Sequence, residues 1–355
     1  MKTNFRKTLI SAVLGAAVIG GPAVANAGTV LRWSDGQPNR GVNSEMVKWY
    51  ADEVAKRTKG DLKFQIHWGG ALFKSKAAVQ GVGTRAADVA TIISAYTPKE
   101  LAAYSIGDIP LPNSDIWVGM RAMYELSTTH PALKKMFDDL NLVYMTNLST
   151  SAINILCKDK FIKKLDDLKG VSIRAVGPYG RVFKDLGASV VRMSQANVYK
   201  ALDSGIVTCN QNYLYSIEVF KQNDVASYLT HLDWGQHLAF GIVMNKQAHD
   251  GLSEADRKVL HEVGSEFVDR FSRRIQEANQ KALERMTSGD HPLKAEDMDP
   301  AEKKKLIEKG LEAARGWIAR ADKAGLPGKD IYDTYLGLVA KYEKIRDEKG
   351  YPWKR

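Results

Sequence analysis

The stretch DDLKGVSIRAVGPYG, residues 166–180, carries a strand-like apolar run, GVSIRAV, that ends at Arg174 just before a loop rich in Gly and Pro. A short strand delivered into such a loop between helix-like pieces is the repeating unit of an α/β fold. It also leaves a guanidinium at the end of a strand, which raises the question of what it binds.

The same order recurs on both sides. VLRW (30–33) reads as a short strand, and GVNSEMVKWYADEVAKRT (41–58) has apolar positions at helical spacing with Lys-Gly after it as a stop. DLKFQIHW (61–68) alternates like a strand, AAVQGVGTRA (77–86) reads as a helix, and DVATIISA (88–95) as another strand. INILCKD, ASVVRM and GIVTCNQ supply further strands. The alternation predicts an α/β fold with mainly parallel sheets. From Leu252 the character changes: residues 253–288 run without proline, opened by Ser253 with Asp256 three positions on, a capping-box-like start. One helix of that length would span most of a domain or bridge two; a break near Gly264 is the alternative. Residues 299–349 are again helical, with a turn at Pro327-Gly328.

Residues 1–27, MKTNFRKTLISAVLGAAVIGGPAVANA, combine Lys2, Arg6 and Lys7 with an apolar stretch and a closing Ala25-Asn26-Ala27. This is the pattern of a secretory leader cleaved before Gly28, and it predicts an exported, periplasmic protein. No later segment approaches the roughly 20 apolar residues of a spanning helix, so no direct membrane insertion is expected. The full chain of 355 residues has a net charge of +10, of which the leader holds three positive charges. The remaining basic residues are interleaved with acids on helix-like stretches, the mark of a solvated surface rather than of a nucleic-acid footprint. Cys157 and Cys209 meet an oxidising compartment and could pair, but sequence alone leaves their proximity open.

Signatures of catalysis are sparse. The chain has no G-x-S-x-G elbow, no H-E-x-x-H, no Walker loop and no dinucleotide fingerprint after a strand. Two cysteines and seven scattered histidines make no metal pattern, so no enzyme activity, cofactor or metal is expected.

The middle third instead holds an ordered set: LDDLKGVSIRAVG (165–177), DLGASVVRM (185–193) and VYKALDSGIVTCNQN (198–212). In order and spacing it resembles the substrate-binding proteins of tripartite ATP-independent periplasmic (TRAP) transporters, of the DctP type. LRWSDGQPNRG (31–41), YADEVAKRTKG (50–60), HWGGAL (67–72), DIPLP (108–112) and NKQAHDGLSEADRKVL (245–260) extend the likeness over most of the chain. The resemblance implies a two-domain periplasmic binding-protein fold with a cleft and a long helix contributing to both domains. Residues 28–150 with 240–280 would form one domain, and 151–239 with 281–355 the other. The implied function is a receptor that binds an organic acid anion by its carboxylate and delivers it to small and large TRAP membrane subunits.

By the same resemblance Arg174 is the carboxylate clamp, a role suited to a planar, permanently charged fork of donors. Taken by itself it would equally suit an ion pair with Asp166 or Asp167. Asn212 falls on the family's ligand-touching asparagine and Gln211 replaces its usual glutamate, while Thr208-Cys209 and Asn197 depart from the family's acidic choices. Asn154 stands where sialic-acid-binding members have a second arginine. The ligand would therefore carry one carboxylate or find a second cation elsewhere, with Arg40 as a candidate. Trp33, Trp68, Tyr96, Tyr213, Tyr215 and Trp234 cluster about the inferred cleft and favour an aromatic or other monocarboxylic acid, though each alone fits a core position as well. His67 and His237 fit structural roles. C4-dicarboxylates, small keto or hydroxy acids, and a sensor role for a membrane signalling receptor are the alternatives.

Overall fold

A computed structural model describes residues 28–288 and 292–355; the expected leader lies outside the described residues. The chain runs through β1 (Thr29–Ser34), α1 (Gly41–Arg57), β2 (Leu62–His67), α2 (Ala78–Gly83), β3 (Val89–Ile93), α3 (Ile116–Thr129), α4 (Pro131–Asp139) and β4 (Leu142–Leu148). It continues with β5 (Ile153–Cys157), β6 (Ser172–Arg174), α5 (Gly177–Asp185), β7 (Ser189–Val191), α6 (Val198–Asp203), β8 (Cys209–Asn212), α7 (Leu214–Val219) and β9 (Tyr228–Trp234). β10 (Phe240–Asn245), α8 (Lys246–Asp250), α9 (Glu254–Ser288), β11 (Lys294–Asp297), α10 (Pro300–Lys323) and α11 (Gly328–Lys349) complete it. No described helix is long and apolar enough to cross a membrane.

Two sheets result, ordered β2-β1-β3-β10-β4 and β11-β9-β5-β8-β6-β7. The α/β class holds, but the expectation of mainly parallel sheets does not. β10 runs antiparallel to both β3 and β4, and β5 runs antiparallel to both β8 and β9. The cause is the path of the chain. It leaves the first sheet from β4 to enter the second at β5, and returns from β9 to β10. The outgoing and returning strands are neighbours in both sheets and so must run in opposite directions. The two sheets are thus joined through residues 149–152 and 235–239.

Burial explains why these segments are strands. β3, β5 and β10 are buried along their whole length, as expected of central strands covered on both faces. α1 buries Met46, Val47, Tyr50 and Val54 at helical spacing. Tyr50 meets Trp33 and Phe267 edge-on in the first core.

α9 is one continuous helix of 35 residues. Gly264 does not break it; a Cβ there would sit 2.3 Å from the Met145 carbonyl oxygen of β4. The glycine permits close packing, and the Thr146 hydroxyl donates to the Gly264 carbonyl at 2.7 Å. Leu260, Val263, Phe267, Phe271 and Ile275 of this helix belong to the core of the first sheet, while Ala282 and Met286 join a cluster under the second. α10 likewise divides its contacts, with Leu306 in a second-sheet core and Ala314, Trp317 and Ala321 in the first. α11 packs on α3, and its Ile331, Tyr335 and Val339 lie in the first core.

Cys157 and Cys209 stand opposite one another on β5 and β8 and form a disulfide, with Cα atoms 4.1 Å apart. Both are fully buried.

Candidate functional site

Arg174 is the last residue of β6, held between β7 and β8 by pairing with Val191 and Asn210. Its side chain is 4% exposed. Nε and Nη2 both donate to the Met193 carbonyl, at 3.0 and 2.9 Å. Nη2 also lies 3.4 Å from the Tyr96 hydroxyl and Nη1 3.5 Å from the Gln211 carbonyl. One edge of the guanidinium is therefore fixed by Met193, while the Nη1–Nη2 edge has only long partners. No carboxylate pairs with Arg174 among the described residues. Asp166 pairs with Lys169 at 2.8 Å, and Asp167 accepts from the Lys164 backbone N–H. A guanidinium this deeply buried is costly without an anion.

The chamber around that edge is built from both sheets. Ile93, Ala95, Tyr96 and Phe240 come from the first; Arg174, Val176, Gln211 and Tyr213 from the second; His237 comes from the returning crossover. Its free volume is about 10 Å³, room for a single water. Tyr96 ties the walls together, its hydroxyl accepting from the Gln195 N–H at 3.0 Å while facing Arg174. Burial pushes the Tyr213 phenol well above its ordinary pKa, so it remains a neutral donor.

Behind Arg174 runs a buried polar chain. Gln211 Oε1 accepts from the Val176 N–H at 3.0 Å, which turns its Nε2 donor toward His237 Nε2 at 2.9 Å. With Nε2 accepting, the His237 proton sits on Nδ1, 3.1 Å from Asp108 Oδ1 and off the line of a good hydrogen bond. Asp108 also accepts from the Ser94 hydroxyl and from the Ala239 N–H. The chain joins β8, the crossover and the first sheet in one network.

The remaining candidates are placed elsewhere. Side chains alternate along a strand, and on β8 this turns Gln211 toward the chamber and its neighbours away. Asn210 and Asn212 both donate to Gln222 Oε1, at 2.9 and 2.6 Å. Asn154 uses its Oδ1 on the backbone N–H groups of Leu232 and Asp233, at 2.8 and 2.9 Å, fixing the bend that ends β9. Arg40 donates Nε to the Val219 carbonyl at 2.8 Å, in a small recess beside Tyr213 and Tyr215. Trp68 is partly buried on the first core with Lys48 over its ring. Trp33 and Trp234 are fully buried, the latter edge-on to Tyr179 with ring centroids 4.9 Å apart. Arg174, Gln211, Tyr213 and Tyr96 thus share one chamber. Met193, Gln195, Asp108 and Phe240 were not legible as site residues. Met193 and Gln195 act through backbone atoms, which leave no side-chain signal; Asp108 stood only as part of the DIPLP segment, and Phe240 carries no polar group to single it out.

A second, larger space adjoins the chamber. It measures about 520 Å³ and shares Ala95, Tyr96 and Val176 with it.

Comparison with known proteins gives a consistent picture. Residues 34–318 match the model of the family described as bacterial extracellular solute-binding protein, family 7 (DctP). A solute-binding protein of Albidiferax ferrireducens is 27% identical over 231 residues, 62% of this chain and 66% of that protein. The C4-dicarboxylate-binding periplasmic protein DctP of Rhodobacter capsulatus is 25% identical, over 69% of this chain and 75% of its own length. Among solved structures, a TRAP solute-binding protein of Rhodoferax ferrireducens in complex with copurified benzoate superposes with a TM-score of 0.80. It is 19% identical and covers 89% of this chain and 99% of its own.

Proposed function

The chain belongs to the bacterial extracellular solute-binding proteins of family 7, and from that premise we propose that it is a periplasmic receptor that captures an organic acid with an aromatic or apolar body and hands it to a TRAP membrane transporter. The observation that carries this reading is Arg174: a buried guanidinium with no carboxylate partner among the described residues, one edge fixed by the Met193 carbonyl and the other turned into a chamber walled by both sheets.

A carboxylate received on the Nη1–Nη2 edge gains two charge-assisted hydrogen bonds. Tyr96 and Gln211 move from long partners of the arginine to neighbours of the acid. Tyr96, Tyr213 and Phe240 supply aromatic surface for the body of the ligand, which favours an aryl or similar acid over a C4-dicarboxylate. The chamber is too small for any such acid as it stands, so entry requires the two walls to part. Residues 149–152 and 235–239 are the places to bend, and Tyr96 with its Gln195 contact is the latch between the walls. The two units that move are 28–150 with 240–280 and 151–239 with 281–355, the long helix serving both. Binding then needs no covalent step, and closure presents one shape to the small and large membrane subunits.

The test is a thermal-shift screen against benzoates, arylacetates, keto and hydroxy acids, C4-dicarboxylates and sugar acids. At 100 times its dissociation constant a ligand of the folded state stabilises it by about 2.7 kcal/mol. The reading expects the aryl acids to give the largest shifts. Shifts confined to sugar acids or C4-dicarboxylates would contradict the assigned ligand class.

A further inference from the structure

The outer space next to the Arg174 chamber has an unusual electrostatic character. Its walls carry Arg181 on α5, Arg192 just after β7 and Arg320 on α10, together with Lys76 and Lys99 from the first-sheet side. Neither Arg181 nor Arg192 makes a salt bridge among the described residues, and Arg320 donates only to the Ala313 carbonyl, at 3.4 Å. Like charges gathered at a partly desolvated wall repel one another and are stabilised by an incoming anion. Burial, with Arg320 and Arg192 nearby, pulls the Arg181 guanidinium down to about 10. Burial also lowers Arg320. Asp108 is the one carboxylate lining this space, and it already accepts from the Ser94 hydroxyl and the Ala239 N–H, with His237 Nδ1 3.1 Å away.

The position of the cluster matters as much as its charge. Ala95, Tyr96 and Val176 line both spaces, and Met193 lines the outer one while its carbonyl holds Arg174. The shared apolar and aromatic residues therefore form the boundary between the Arg174 chamber and the space that holds the three arginines. Trp317 and Ala321 of α10 add apolar wall there. Arg40, the other candidate for a second cation, donates Nε to the Val219 carbonyl in a separate recess.

We propose that the outer space is a second anion subsite, and that the receptor favours an elongated acid bearing two anionic ends on a rigid, apolar body, such as an aromatic dicarboxylate or a sulfonated aryl acid. This rests on the reading of Arg174 as the carboxylate seat. One acidic group sits at Arg174, the body lies along Tyr96 and Val176, and the second acidic group lies among Arg181, Arg192 and Arg320. The site is open to solvent on its outer side, so the second interaction is weaker than the first and sensitive to salt.

The experiment measures the affinities of benzoate, 1,4-benzenedicarboxylate and 4-sulfobenzoate by calorimetry. It uses the wild type, Arg174→Ala and the triple variant Arg181→Gln, Arg192→Gln, Arg320→Gln, with circular dichroism and melting curves as folding controls. In the wild type the two-headed acids should bind about 10-fold tighter than benzoate, as expected for one added charge-assisted contact. That ratio should fall to about one in the triple variant and should shrink between 0.1 M and 0.5 M salt. Equal affinities in the wild type, or a ratio that survives in the triple variant, would overturn the second subsite while leaving Arg174 in place. Binding of benzoate that is indifferent to Arg174→Ala would instead overturn the underlying reading. If no probe binds the folded wild type, both fall. Should the triple variant fail to fold, the three single substitutions carry the same test.

Discussion

Gln211 places its amide Nε2 2.9 Å from His237 Nε2, on the wall that faces the free edge of Arg174. With Oε1 taken by the Val176 N–H, this contact makes His237 Nε2 the acceptor and leaves its Nδ1 facing Asp108. Gln211 adds no charge to the chamber wall where a glutamate would have added a negative one. Gln211→Glu should weaken carboxylate binding about 10-fold at pH 7.5, by repulsion across a partly desolvated chamber. Calorimetric titrations at pH 7.5 check this; equal affinities of variant and wild type would contradict it.

The Cys157–Cys209 disulfide closes a sequence separation of 52 residues across β5 and β8. Chain-entropy arguments give such a cross-link roughly 2–4 kcal/mol of stability. Cys157→Ala with Cys209→Ala should lower the unfolding free energy by that order in urea titrations, and the oxidised protein should resist reductant until it unfolds because both sulfurs are buried. An unchanged denaturation midpoint would show that the strands hold one another without the bond.

Asp35 follows β1 and is 1% exposed. Burial pushes its carboxyl up to about 6, against hydrogen bonds from the Thr91 hydroxyl and the Gln37 N–H. The unfolded chain gives up this proton near the ordinary 3.8. Between those values the native state holds the extra proton, so this group makes stability fall as pH rises from about 4 to 6, by at most about 1.4 kcal/mol per pH unit. Asp35→Asn lacks that penalty. Its stability relative to wild type should improve as pH rises through the same window in chemical-denaturation series. Parallel curves would contradict the burial argument.

The strands carrying Arg174 were legible because β1, β2, β3, β5, β6, β7 and β8 alternate with helices in a pattern any α/β chain shows. β4, β9 and β10 were not, although YLTHLDW and FGIVMN are apolar, because nothing local states that the chain returns to a sheet it has left. Those strands set the mixed sheet order and bring Phe240 and His237 to the chamber. Arg174, Gln211, Asn212 and Asn154 were singled out by the family resemblance, and of these Arg174 and Gln211 line the chamber. Register cannot be read from a resemblance alone: the Asn212 amide donates to Gln222 and Asn154 Oδ1 accepts from the Leu232 and Asp233 N–H groups. Arg181 and Arg192 lie close in sequence, but Arg320 is remote from both, so only the packing of α10 beside α5 completes the cluster.

The central claim is that the Nη1–Nη2 edge of Arg174 receives the ligand's carboxylate. The direct measurement is calorimetric titration of the best acid from the thermal-shift screen into the wild type and Arg174→Ala, with circular dichroism confirming that both are folded. Losing two charge-assisted bonds should weaken binding on the order of 100-fold or more. An affinity within about threefold of wild type in a folded Arg174→Ala protein, well inside the cost of one such bond, would mean that the acid is anchored elsewhere.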